Sequence, residues 1–207
     1  RGVGKRLPLR AAVQSALAAP ARARQAVAAL GAGLVARGLL PEAALATYGL
    51  GALWRAQPEP TLAFVTSGGY GELGLGLRWK FLEGAGLSEP RAWDVLQVAH
   101  GPFQQTFQRP LFLCALTRGD SPVEQALLGR LQAMLQPHHV LLPLPAEPPG
   151  PLALFSHDLA CNELLLAVLR GRDWDLLDWP GRCCDGPLYE LADGADLLAG
   201  PLAPTGC

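Results

Sequence analysis

The chain has 207 residues, half of them apolar and 17% charged, with a formal net charge of -1. That length suits one domain of about 100–200 residues, alone or with an appendage. The balanced charge argues against a nucleic-acid surface, which needs a basic excess to track phosphates, and no apolar run reaches the ~18 residues of a membrane span.

The start, "RGVGKRLPLRAAVQSALAAPARA", imitates a signal peptide. Gln14 and Ser15 interrupt its apolar part, however, and Arg22 and Arg24 follow at once, so it reads as an amphipathic helix. Met134 is the one methionine, so residue 1 is not an initiator and an upstream segment is expected. Residues 11–56 read helical, with Val13, Leu17, Val27, Leu30, Leu34, Leu45 and Leu50 apolar and Gly31, Gly33 and Pro41 as punctuation. "QPEPT" (57–61) is a break, and "TLAFVTSG" (61–68) is a short apolar run ending in a turn, a buried strand.

Residues 71–83 again read helical, with Leu73, Leu77 and Phe81 four apart. "AWDVLQVAHGP" shows no clear period. "PLFLCALT" (110–117) is a second strand. In "SPVEQALLGRLQAML" (121–135), Ser121 is the cap, Pro122 the first helical residue and Glu124 the third after the cap. "HVLLPLP" (139–145) is a third strand, and 151–171 is a long helix closed by Gly171. The organisation expected is a helical lead-in (1–56), an α/β domain (57–171) and an irregular tail (172–207). Strands alternating with helices imply a doubly wound, mainly parallel open sheet covered on both faces. Ligands of such sheets sit beyond the carboxyl ends of the strands, where 66–71 and 117–121 fall.

The cysteines, Cys114, Cys161, Cys183, Cys184 and Cys207, form no CxxC pair and read as reduced thiols of a cytoplasmic protein. His138 and His139 precede a strand. His157 and Cys161 are the only pair at ligand spacing, and a zinc site needs a convergent third or fourth ligand, so no metal is expected.

The turn after the first strand admits three readings. Gly69, Gly71 and Gly74 spell a dinucleotide fingerprint, with Asp94 placed for a ribose hydroxyl. "SEPRAWD" is not an apolar run, however, so a strand ending at Asp94 is not expected. The glycines also suit a tight turn and close helix packing, with no ligand at all. The third reading takes in the residues beyond the turn: Lys80 and Glu83 share a helical face, and His100 opens "HGP".

The ordered set "FVTSG", Lys80, Glu83 and "HGP" resembles the sugar isomerase (SIS) domain family. Within it the likeness is to the second such domain in the isomerase half of glucosamine-6-phosphate synthases. "RGRDWDLLDWPGR" (170–182) is similar to the segment that ends those proteins, so the resemblance spans about residues 25–185. It implies aldose–ketose isomerisation, or a related deglycation, of a 6-phosphosugar or amino sugar phosphate, with no cofactor or metal. Glu83 then falls at the proton-transferring glutamate and His100 at the ring-opening histidine, which in related dimers comes from the partner subunit. Lys80 matches a lysine beside the glutamate, and Thr66, Ser67 and Gly68 form the turn placed to contact sugar, unless Ser67 simply caps the helix. A homodimer with a shared site is the implied assembly.

The chain departs from the family in several places. Gly76 and Gln97 stand where the family has acids, and no lysine follows Lys80; the tail offers Arg182, Cys183 and Cys184 instead. The phosphate-binding Ser/Thr loop of the family's first domain has no counterpart, "TRGDS" (117–121) being the nearest candidate. These losses put ammonia-coupled synthesis in doubt and leave two other outcomes, simple isomerisation or a non-catalytic phosphosugar sensor. They also lead to the expectation that the chain is the C-terminal half of a longer protein.

Overall fold

The run Thr61–Thr66, strand β1, buries its side chains in both directions. Leu62 and Phe64 enter one apolar cluster, Ala63 and Val65 another. Such a strand must lie inside a sheet covered on both faces. The structure, a computed structural model, describes residues 3–172 apart from 57, 88, 120 and 147–152, together with residue 175. Arg182, Cys183, Cys184, Cys207 and nearly all of the expected tail therefore lie outside the described residues.

Three more strands, β2 (Arg91–Asp94), β3 (Leu111–Thr117) and β4 (Val140–Pro145), join β1 in a parallel sheet of order β2-β1-β3-β4. The protein is thus α/β, with an open parallel sheet flanked by helices. The winding reverses at β1: β2 lies to one side of it, β3 and β4 to the other. One face is covered by α1 (Val3–Ala36), α2 (Glu42–Tyr48), a 3₁₀ segment (Gly49–Arg55), α3 (Gly71–Ala85) and α6 (Ala153–Leu169). The other is covered by a short turn (Gln97–Ala99), α4 (Pro102–Thr106) and α5 (Pro122–Met134). Residues through Arg172 form one compact unit, so the helical lead-in belongs to the same body as the sheet. No helix among the described residues is long and apolar enough to cross a membrane.

Two local outcomes differ from the sequence reading. α1 runs unbroken through Pro20, Gly31 and Gly33 to Ala36. The backbone bond missing at Pro20 is offset by packing, because Ala19 and Ala23 on either side of it are buried. Gly31 gives Leu45 of α2 its place, since a Cβ there would stand 2.8 Å from the leucine Cδ1. The second difference is β2 itself. "RAWD" is a strand although only half-buried, because at the sheet's edge it has one neighbour, β1, to satisfy. The opposite edge strand, β4, carries Pro143 and Pro145.

Gly171 closes the fold in an unforeseen way. A Cβ on Gly171 would lie 1.9 Å from the Gly51 carbonyl oxygen, and one on Gly51 would lie 2.2 Å from the Gly171 nitrogen. The backbones after α6 and before β1 therefore touch, and only glycine fits at either position. In the core, Cys114 of β3 and Cys161 of α6 are free, buried thiols. Hydrogen bonding to Cys161, and then burial, pushes the Cys114 thiol well above its ordinary range, so it is inert as a nucleophile.

Gly51→Ala and Gly171→Ala are each expected to cost about 3 kcal/mol in urea unfolding through overpacking. Gly33→Ala, with nothing within 4 Å of the added Cβ, is expected to gain about 0.5–1 kcal/mol through helix propensity.

Candidate functional site

The reversal at β1 leaves a crevice between the carboxyl ends of β1 and β3, because the helices that follow them, α3 and α5, leave on opposite faces. Two turns border it. In the first, Thr66 ends β1, Ser67 is extended, and Gly68 takes φ 60°, which turns the chain into α3. In the second, Arg118 and Gly119 lead to Ser121, whose hydroxyl caps α5 by accepting the Glu124 N–H at 3.3 Å.

In a reciprocal cap the Glu124 side chain would turn back to the Ser121 N–H. It crosses the crevice instead. Its carboxylate accepts the Ser67 hydroxyl at 2.5 Å, the Arg118 backbone N–H at 2.7 Å and the Arg118 Nε–H at 3.0 Å. Glu124 is only 6% exposed. Burial raises its pKa, but the bonds from Ser67 and Arg118 and the guanidinium charge outweigh it, and the carboxyl sits below its ordinary value. Ser67 is thus a donor to a buried carboxylate and not a helix cap, for it makes no capping bond.

His157, in the second turn of α6, is 1% exposed and meets the Tyr70 ring edge-on, with centroids 5.4 Å apart. Its Nε2 has no hydrogen-bond partner among the described residues. Burial lowers its pKa to about 4, against the opposing charge of Glu124. At neutral pH a charged carboxylate and a neutral, water-shielded imidazole therefore stand near one another. The cleft lined by Thr66, Ser67, Thr117 and Glu124 has a volume of about 10 Å³, room for a single water. The place where such sheets hold an anionic ligand is filled here by the chain's own anion.

The predicted site residues separate into two groups. Thr66, Ser67 and Gly68 lie at the crevice as expected. His100 is exposed at the same end of the sheet, beyond β2, and "HGP" begins α4: Gly101 has φ 116°, and Pro102 is the first helical residue. Lys80 and Glu83 lie elsewhere. α3 runs back toward the beginnings of the strands, and twelve residues at 1.5 Å each put Glu83 about 18 Å from its start. Lys80 turns to α6 and binds Asp158 Oδ1 at 2.5 Å and Asn162 Oδ1 at 3.0 Å, leaving Glu83 aside. Glu83 is exposed, and among the described residues neither its carboxylate nor the His100 ring takes a hydrogen bond or ion pair. One chain does not bring this acid and this imidazole together.

The remaining candidates have structural work. Asp94 does end a strand and pairs with Thr66, which removes the objection to it as a ribose-binding acid. Its carboxylate accepts the Leu96 N–H, while the Gln97 side chain accepts the Asp94 N–H, so the two close the turn after β2. His139 is buried and accepts the Gln136 N–H at Nδ1, and His138 Nε2 lies 3.1 Å from the Phe107 carbonyl oxygen. No group of three metal-ligating residues occurs among the described residues. Neither a protein-family model nor a curated protein sequence matches the chain.

Glu124 and His157 dictate how stability depends on pH. The folded state resists protonating His157 until about pH 4, whereas an unfolded histidine takes its proton near 6.5. Stability is therefore full above about pH 6.5 and falls toward pH 4, by about 3 kcal/mol from this group. The lowered Glu124 carboxyl adds a further loss as pH drops through its folded value. In urea titrations, His157→Phe should flatten most of the upper decline, leaving a remainder from His139, whose pKa burial also lowers. Glu124→Gln should cost about 1–3 kcal/mol at pH 7 and remove the acid-end loss.

Proposed function

We propose that this chain is a phosphosugar isomerase-like protein, acting on a 6-phosphosugar or amino sugar phosphate, whose acid–base pair is completed only between two bodies. The observation that carries this reading is the exposure of Glu83 and His100, without partners among the described residues, at opposite ends of one sheet. Exposed, unpaired acid–base groups suit a site assembled by association. In a homodimer, Glu83 of one protomer would move the proton between sugar carbons. The partner's His100 would open the ring, with the 66–68 turn of that same copy beside the sugar. Lys80, held by Asp158 and Asn162, would fix the helix face from which Glu83 projects. A second SIS-type domain upstream could fill the partner's place equally well in chemical terms. Proton transfer of this kind requires no metal or cofactor. The free Cys114 and Cys161 thiols support a reducing, cytoplasmic setting.

A nicotinamide dinucleotide site is the second reading, and one observation favours it. β2 ends at Asp94 beside Thr66, and Gly74 packs so closely that a Cβ would stand 3.3 Å from Thr66 and 3.4 Å from Ala92.

The test is interconversion of fructose 6-phosphate and glucose 6-phosphate, together with hydrolysis of glucosamine 6-phosphate by water to fructose 6-phosphate and ammonia. Glu83→Gln and His100→Asn should each lower kcat by about 10²–10⁴-fold. Refolding the two variants together should restore activity to about a quarter of the wild-type sites, because half of the dimers are mixed and each keeps one intact site. Stabilisation by fructose 6-phosphate with no turnover, unchanged in Glu83→Gln, would instead mark a phosphosugar sensor. Thermal stabilisation by NAD alone would overturn the sugar reading.

A further inference from the structure

At the opposite end of the sheet, where the strands begin, lies a cavity of about 460 Å³. That is within the range of small-molecule sites, roughly 300–1,000 Å³. Its walls come from the segments entering β1 and β2 and from Arg109, just before β3. Pro58, Pro60 and Pro90 stiffen those segments, because proline fixes its own φ, so the cavity is formed in advance and little order is lost on filling it. Exposed Pro58 gives it an apolar wall, and Leu62 and Leu87 lie beneath, each only 1–2% exposed.

The charges around it are unequal. Glu59 is paired with Arg172 at 2.6 Å, and Glu89 with Arg91 at 2.6 Å. Arg109 is the third charged residue of the wall, and among the described residues its guanidinium takes no carboxylate or carbonyl. The prolines have no N–H to donate, and the Thr61 and Leu87 N–H groups already bind the Pro110 and Phe81 carbonyls. Arg109 and the Thr61 hydroxyl are therefore the side-chain donors facing a ligand. One positive charge is left uncompensated beside the apolar wall.

We propose that this cavity binds a small molecule with an apolar body and one anionic group, a carboxylate or a phosphate, held by Arg109. The apolar part lies against Pro58, and the Thr61 hydroxyl takes a second oxygen of the anion. This site is separate from the β1 crevice and does not depend on any turnover of sugar.

Saturation-transfer NMR and thermal shift on the full chain test it, with hexanoate and phenyl phosphate as anionic probes and hexylamine as the cationic control. Binding of at least one anion is expected, with none of hexylamine. Arg109→Gln should weaken binding by about tenfold or more, as loss of a charge-assisted bond does, and Arg109→Lys should keep most of it. The Arg109 side chain bonds nothing among the described residues, so the substitution leaves the fold in place, and the circular dichroism spectrum should be unchanged. Failure of both anions to bind, equal binding of hexylamine, or unaltered binding in Arg109→Gln would each overturn the proposal.

Discussion

A parallel sheet has no face it can leave in water, and the rest of this molecule answers to that constraint. β1 and β3 alternate their side chains between two apolar clusters. Each cluster needs its own helical cover, and right-handed crossovers supply both covers only if the winding reverses somewhere. It reverses at β1. That reversal produces the crevice beside Ser67, the return of α3 to the far end of the sheet, and the burial of α6 between α3 and α1. The Gly51–Gly171 contact serves the same end: it lets the chain leave α6 against the segment that enters β1, with no side chain between them.

Much of this was legible in particular residues. The apolar runs of β1 and β3 stand out, and Ser121 with Pro122 marked the start of α5 to the residue. β2 was hidden because an edge strand needs only a half-apolar pattern, and "RAWD" has no more than that. The length of α1 was hidden because tertiary packing at Ala19 and Ala23 overrides the local cost of Pro20. The candidate site was legible only in part. Thr66, Ser67 and Gly68 follow from the strand-to-turn pattern alone. Whether Glu83 meets His100 depends on the path of α3, which spacing along the chain does not reveal.

Glu124 shows how a local rule can be obeyed and still mislead. Its backbone keeps the cap with Ser121, while its carboxylate binds Ser67, 57 residues away in sequence. The topology that brings β3 beside β1 gave the carboxylate better donors than its own helix end. A buried charge with three donors stays ionised, and it occupies the position where an incoming anion would otherwise find Ser67 and the Arg118 amide. The crevice is therefore tied shut by an internal bond, and chemistry that needs open space looks to the exposed ends of the molecule.

The two edges of the sheet also bear on how copies can meet. β2 is four residues long, and β4 carries Pro143 and Pro145, where a missing N–H is tolerated because no further strand among the described residues calls on it. Another chain laid alongside would find few donors to zip against. The architecture disfavours end-to-end sheet polymers and fibril-like growth, and it steers self-recognition toward contacts between helices.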